Sequence, residues 1–511
     1  MTSVLKIFGP PGTGKTETLM RKIEEALGQG TNPSRIGFVS FSRKAVAEGK
    51  DRAQARFGLS DKQMIFWRTL HSMAFSALGL RKEDVMTTAD YKEVGMLVGE
   101  VMTVNIQPED GVPIPVDMKR GSRYLAIIDR ARYRMVTLEE EWKEHDTYDL
   151  HLSKAQQIQE QLAEYKSAHS KIDFVDMIEQ YVHVVDPPTL DLFIVDEAQD
   201  LTPLQFEMVK KISDYAARTI TAGDDDQCIH AWAGARSKDF IEFGEDQLIL
   251  TQSYRLPEAV FNVANHIVHR ISDRVPKDYA PMDEKGSVDY HYNLDTVPLE
   301  CGSWTIMART NMIVSKFADA LKDLGYYFSV KGYPPIQESK VFGILTWRHL
   351  SNGGAISLSD TKRLYDLLPK QGDKAVLSRG AKKLLEAADP EQPITKDDMI
   401  NSYGMRPAMR FDERDEFDVL GLGDDIRSYV TAVEQSGEDI TKPPRIKLST
   451  FHAMKGGEDD NCAVYLGSTY ACVNKSPEDD EHRAFYVGVT RARKTLHIID
   501  PGYNEKYRYE L

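Results

Sequence analysis

Val4-Leu5-Lys6-Ile7-Phe8 runs directly into Gly9-Pro10-Pro11-Gly12-Thr13-Gly14-Lys15-Thr16, and a helix-forming segment, Glu17 to Leu27, follows. The order is strand, Gly-rich loop, helix, with Gly-x-x-x-x-Gly-Lys-Thr at the joint. Glycines let backbone N–H groups curl around a phosphate chain without obstruction by Cβ. The helix N-terminus adds positive potential at the same place. Lys15 is placed to reach the β- and γ-phosphates, and the Thr16 hydroxyl to coordinate Mg²⁺. The stretch predicts a nucleoside-triphosphate site at the start of an α/β domain.

At 511 residues, 41% hydrophobic and 28% charged, the chain has the composition of a globular protein of two to four domains. No apolar run approaches a membrane span, and the N-terminal Met-Thr-Ser enters a strand at once, so a cytoplasmic protein without a signal peptide is expected. Cys228, Cys301, Cys462 and Cys472 form no Cys-x-x-Cys pair and read as reduced thiols. A formal net charge of −15 argues against a nucleic-acid-coated surface. It still allows a strand to be gripped in a local groove by a few cations and aromatic platforms.

Further strands are predicted at 35–40, 65–72, 192–195, 219–222 and 248–250, with long helical patterns such as Thr137 to Lys154 and Ala155 to Ala168 between them. The strand rhythm returns in a second series at 304–308, 446–449, 463–466 and 495–499. Two parallel-sheet α/β domains, each carrying a mostly helical insertion, account for this pattern. The division reads as 1–79 with 161–275 for the first domain and 80–160 for its insertion. The second takes 276–350 with 437–511, and its insertion 351–436.

The candidate chemistry lies just past strand ends, where open α/β sheets bind nucleotides. Asp196-Glu197 follows the apolar run Leu192–Val195, so Asp196 can hold Mg²⁺ and Glu197 can orient and deprotonate the attacking water. Gly223-Asp224-Asp225-Asp226-Gln227 lacks the Gly and distal Glu of a calcium loop, and Gln227 reads as a γ-phosphate sensor. Trp232, among small residues, reads as a base-stacking platform.

In order along the chain, these residues resemble the motifs of superfamily 1 DNA helicases of the UvrD/Rep/PcrA type. Gly9–Thr16 resembles the Walker A loop, Phe41-Ser42-Arg43-Lys44-Ala45 motif Ia, and Thr69-Leu70-His71-Ser72 the next DNA-contacting motif. Asp173-Phe174-Val175-Asp176 resembles the segment before motif II, Asp196–Asp200 motif II, Gly223–Ala235 motif III and Gln252-Ser253-Tyr254-Arg255 motif IV. Ala308-Arg309-Thr310-Asn311 opens the second motor domain, and Thr450–Glu458 and Phe485–Arg493 resemble motifs V and VI.

The resemblance implies two RecA-like P-loop motor domains that use ATP and Mg²⁺ to move 3′-to-5′ on single-stranded DNA and unwind tailed duplex DNA. It implies that Arg255 and Arg491 reach the γ-phosphate from the first and second motor domains respectively, that Tyr254 stacks on the nucleotide base and that Glu458 touches the ribose. Phe41, His71, His230, Trp232, Thr450 and His452 are implied along the single strand. A monomer is expected, with replication or repair proteins as partners.

Three positions depart from the family pattern. Eight residues precede Gly9, so the upstream Gln motif that reads adenine is expected to be absent or replaced. His230 stands where Tyr is usual, and Gly457 where Leu is preferred. Other readings of the same residues are an ATP-gated clamp, loader or protein-displacing translocase without unwinding, a helicase–nuclease, and an RNA substrate. The absence of an acidic metal-binding cluster after Arg493 argues against the nuclease.

Overall fold

The computed structural model describes residues 3–105, 114–115, 119–144, 149–370, 375–410, 414–474, 476–502 and 505–511. The chain forms two compact units, Met1–Ser287 with Ala471–Lys494, and Val288–Tyr470 with Thr495–Leu511.

The first unit is built on six strands: β1 (Ser3–Phe8), β2 (Ile36–Ser40), β3 (Trp67–Arg68), β4 (Leu192–Asp196), β5 (Arg218–Gly223) and β6 (Asp246–Ile249). Their order across the sheet is β3-β2-β4-β5-β1-β6, and every pairing is parallel. Successive side chains of a strand face opposite sides, so each buried strand feeds two cores. Ile7, Phe38, Ile194 and Ile220 pack with Leu19, Met20 and Ile23 of the helix Lys15–Gly28. Phe8, Val39, Phe193 and Val195 pack on the other side with Val175, Phe206 and Val209.

The run 65–72, expected as a strand, is extended only at β3. Thr69 Oγ1 accepts the Ser72 amide at 3.2 Å and caps the helix Leu70–Ala77, which puts His71 on a helix. Between Leu80 and Ala168 the helices Thr88–Val98, Arg120–Arg134, Leu138–Lys143 and Leu152–His169 enclose a core of their own around Tyr91, Tyr124, Ile128 and Ile158. Part of the predicted helix Thr137–Lys154 lies outside the described residues.

The second sheet contains β7 (Ser287–His291), β8 (Trp304–Ala308), β9 (Phe328–Val330), β10 (Ile446–Thr450), β11 (Asp459–Tyr465) and β12 (Ala492–Ile499), in the order β9-β10-β8-β11-β12-β7, and all of it but the starts of β7 and β12 lies in the second unit. The pairings of β8 with β10 and β11, and of β9 with β10, are parallel. Both units are RecA-like α/β folds. Among the described residues of the segment 351–436, Leu364, Tyr365, Met399 and Val419 share one cluster with Ile306 and Leu448 of the sheet.

Residues 276–287 and 471–494 were expected in the second domain but pack with the first unit. Asp479 accepts the Ser272 and Asp273 amides, both at 3.0 Å, and Arg483 donates to the Asp225 and Asp273 carbonyls at 3.2 and 2.6 Å. The bond of the buried Arg483 to Asp225 O pairs groups that would be costly to leave unpaired, while those of Asp479 lie at the surface. Among the described residues no helix is long and apolar enough to cross a membrane, and all four cysteines are free.

Candidate nucleotide and nucleic-acid site

The loop after β1 is fixed from both sides. The Gly9 amide donates to Gly223 O at 2.9 Å, and Thr13 donates its amide and hydroxyl to Pro10 O at 3.2 and 2.8 Å. Ser253 Oγ donates to Pro11 O at 2.8 Å and the Tyr254 amide to Gly12 O at 2.8 Å, so the predicted motif IV segment braces the loop. Gly12 has φ 73°, and a Cβ there would lie 2.3 Å from Arg255 Cβ. Position 12 therefore excludes other residues by both conformation and space. Gly14, at φ 78°, starts the helix Lys15–Gly28, with Lys15 and Thr16 in its first turn.

Lys15 Nζ lies 3.4 Å from Glu197 Oε1. Burial works against the Lys15 charge, but Glu197, Asp196 and Asp224 outweigh it and hold its pKa above the ordinary lysine value. Asp196 ends β4 and is buried. Burial, and then the Glu197 charge, push its carboxyl up to about 7, with Lys15 pulling the other way. Among the described residues no group of three or more His, Cys, Asp or Glu could hold a metal ion alone. A Thr hydroxyl and a single buried carboxylate fit Mg²⁺, which takes one or two protein ligands and completes its shell with phosphate and water.

Glu197 sits at φ 54°, a left-handed conformation uncommon for a side-chain-bearing residue. Gln199 Nε2 donates to Glu197 Oε2 at 2.6 Å, and Gln199 Oε1 accepts the Asp224 amide at 3.1 Å. A Cβ on Gly223 would lie 2.4 Å from Gln199 Oε1, so Gly223 makes room for this link. Gln227 Nε2 donates to Asp224 Oδ2 at 2.6 Å, and Arg491 Nη2 donates to Gln227 Oε1 at 2.8 Å. Arg491 is 2% exposed and also donates Nε to Val487 O at 2.8 Å. It thus belongs to the first unit, whereas the sequence reading brought it from the second. The base-stacking candidate Tyr254 is 73% exposed, and Arg255 is half-buried.

Behind Gln227 the three aspartates meet cations that the sequence reading did not assign to them. Asp224, Asp225 and Asp226 are fully buried, and Lys277 Nζ lies 3.3, 2.5 and 2.8 Å from their carboxylates. Arg274 makes two 2.8 Å bonds to Asp226, and the Val275 amide donates to Asp225 at 2.7 Å. Burial lowers the Lys277 affinity for its proton, but the three aspartates more than restore it. The available signal was three consecutive acids after an apolar strand, which need cations, with Arg274 and Lys277 shortly after the motif IV segment.

Three residues past Gln227 the aromatic candidates converge. The rings of Phe41 and His230 stack at 5.0 Å and 29°, and His230 lies 6.3 Å from the Trp232 ring at 54°. Trp232 is 48% exposed, an open face at the end of this row. His71 is placed elsewhere. It is buried, its Nε2 is 3.3 Å from Tyr133 Oη, and its ring meets Phe174 edge-on at 5.7 Å. The second unit carries the other three candidates: Thr450 is buried at the end of β10 with Oγ1 accepting the Ala453 amide at 3.2 Å, His452 is half-buried and Glu458 is exposed. Gly457 lies against Met454, whose Cε would be 2.4 Å from a Cβ at that position.

Two family models and several known proteins match this chain in sequence. The UvrD/REP helicase N-terminal domain model matches residues 1–247, and the UvrD-like helicase C-terminal domain model matches 425–501. The chain belongs to the UvrD/Rep helicase family. A protein of Staphylococcus epidermidis named ATP-dependent DNA helicase PcrA is 25% identical over 309 residues, covering 57% of this chain and 41% of that relative. One of the same name from Staphylococcus aureus is 24% identical over 317 residues, with the same two coverages, 57% and 41%. The chain thus spans about two fifths of the length of the curated relatives it matches. Within the UvrD/Rep family frame, the first model takes in the loop, Asp196–Glu197, Gln227 and Trp232, and the second takes in Arg491.

The buried position of His71 has a measurable consequence. Burial, and then the Arg43 charge, depress its pKa to about 4. The unfolded chain takes up this proton below about pH 6.5 while the folded chain excludes it, so the stabilisation is full above 6.5 and is lost as pH falls towards 4. Urea midpoints at pH 7 and pH 5 should show a loss of about 2 kcal/mol that is absent in His71→Gln.

Proposed function

We propose that the protein is an ATP-dependent DNA helicase that translocates 3′-to-5′ on single-stranded DNA and separates duplexes, with Mg²⁺ as cofactor. The observation that carries this reading is the spacing of motif III. Gln227, bonded to Arg491, and Trp232, at the end of the aromatic row, lie five residues apart on one short segment. A shift of the sensor at the phosphate end is therefore felt at the stacking face. Family membership and the loop geometry support the nucleotide half of the reading.

In this mechanism Gly9–Thr16 wraps the triphosphate of ATP, with Pro10, Pro11 and Thr13 holding the loop shape and Lys15 exchanging Glu197 for phosphate oxygens. Thr16 and Asp196 would hold Mg²⁺, which when bound neutralises charge on the phosphates. Glu197, released from Lys15 and still held by Gln199, orients a water and accepts its proton. Gln227 reports the state of the γ-phosphate, and Arg255 and Arg491 face the charge that develops on it. Tyr254 stacks on the base and Glu458 contacts the ribose. Phe41, His230 and Trp232 bear on the bases of the strand, with Thr450 and His452 as contacts from the second unit. His71 supports this surface from within through Tyr133. Residues 80–160 and 351–436 are the insertions of the two motor domains, and the protein acts as a cytoplasmic monomer on tailed duplexes.

Unwinding of 3′-tailed, 5′-tailed and blunt duplexes of DNA and RNA, with ATP and GTP, tests the whole reading. Only the 3′-tailed DNA should open. Strand-stimulated ATP hydrolysis with no opening of any duplex would instead favour a clamp or protein-displacing translocase. Glu197→Gln should bind ATP and DNA normally while kcat falls about 10²-fold or more, and loss of nucleotide binding would contradict its role as base. Trp232→Ala should weaken single-strand binding about 5- to 100-fold, as measured by fluorescence anisotropy. Unchanged strand-stimulated hydrolysis in that variant would return Trp232 to a packing role.

A further inference from the structure

The proposed hydrolysis uses Gln227 and Arg491 but leaves the acidic cluster beside them without a task. We propose that Lys277 is a positioning residue for hydrolysis: it fixes Asp224 and, through it, the orientation of Gln227 and Arg491. This rests on the triphosphatase reading of the site.

The Gln227 amide is held at both ends, with Nε2 donating to Asp224 Oδ2 at 2.6 Å and Oε1 accepting from Arg491 Nη2 at 2.8 Å. Turning the amide over would set its NH₂ against a guanidinium and its oxygen against a carboxylate. An ionised Asp224 therefore dictates which end faces Arg491. Three consecutive buried carboxylates repel one another, and the partners differ in which they serve. Arg274 binds Asp226 and the Val275 amide binds Asp225, whereas Lys277 Nζ faces all three and, among the described residues, is the cation in ion-pair contact with Asp224.

A second path leads from the same carboxylate residue to the base. The Asp224 amide donates to Gln199 Oε1, and Gln199 Nε2 holds Glu197. Lys277 also donates to Val275 O at 3.1 Å, which closes the 274–277 turn over the cluster. That turn is continuous with Ser272 and Asp273, which Asp479 and Arg483 tie to the helix Glu478–Val489 leading to Arg491. Without Lys277, Asp224 loses this ion pair and is free to turn from its neighbouring carboxylates, which removes the acceptor that orients Gln227.

The test is steady-state hydrolysis of ATP with single-stranded DNA by wild type, Lys15→Ala, Lys277→Met, Lys277→Arg, Gln227→Ala and the Gln227→Ala/Lys277→Met double variant. Binding of a non-hydrolysable ATP analogue is measured alongside. Lys277→Met should lower kcat about 10- to 100-fold while KM and analogue affinity stay within about 3-fold, because the phosphate loop is untouched. Lys277→Arg should recover part of the loss, and the double variant should be no slower than Gln227→Ala alone. Lys277→Met/Asp225→Asn, which keeps the net charge of the cluster, should fold and lose kcat to a similar extent, with thermal melting as the check.

Wild-type kcat in either folded variant, or full additivity with Gln227→Ala, would overturn the proposal. So would a failure of Lys277→Met, its charge-balanced partner and Lys277→Arg alike to fold, since the role would then be structural. If wild type hydrolyses no triphosphate, the site reading itself falls. If Lys15→Ala abolishes hydrolysis and Lys277→Met does not slow it, only this inference falls.

Discussion

Parallel pairing of Phe8 with Gly223, and of Val195 with Thr221, sends three chain segments out of one edge of the first sheet. The phosphate loop, the Asp196–Glu197 pair and the sensor segment all begin there because their strands run the same way and end level. Each segment then finds its partners close by: Gly9 on Gly223, Lys15 on Glu197 and Gln199 on Asp224. Antiparallel neighbours would send these loops to opposite edges, and the same side chains could not meet.

Charge placement follows from that convergence. Gathering acids at one sheet edge is costly, since each buried carboxylate loses water and repels the next. The structure answers with cations that serve several acids at once, as Lys277 does for Asp224, Asp225 and Asp226. The helical part of the first unit repeats the device, with Arg132 and Lys166 shared among Asp173, Asp176 and Glu179. In a chain of net charge −15, each of these three cations is thus shared by more than one acid.

Much of this was legible in the residues. The Gly9–Thr16 loop, the apolar run before Asp196 and the order of the motifs carry their meaning locally, and the strands predicted for them form within a few residues of the expected bounds. What escaped depended on distance. Lys277 and Gln199 matter only because folding sets them against Asp224. Arg491 joined the first unit because Arg483 and Asp479 tie its helix to the 272–273 turn, a pairing across some 210 residues that no spacing reveals. His71 lies on a helix for a local reason: Thr69 caps it, so the expected strand end is a buried turn of helix.

The left-handed backbone of Glu197 bears on how the sequence can drift. A side-chain-bearing residue held there costs about 1–3 kcal/mol, which Gly or Asn would largely relieve. Selection for thermal tolerance alone would therefore favour losing this carboxylate. Glu197 thus stands against the preference of its own backbone, a local cost that Glu197→Gly would not carry.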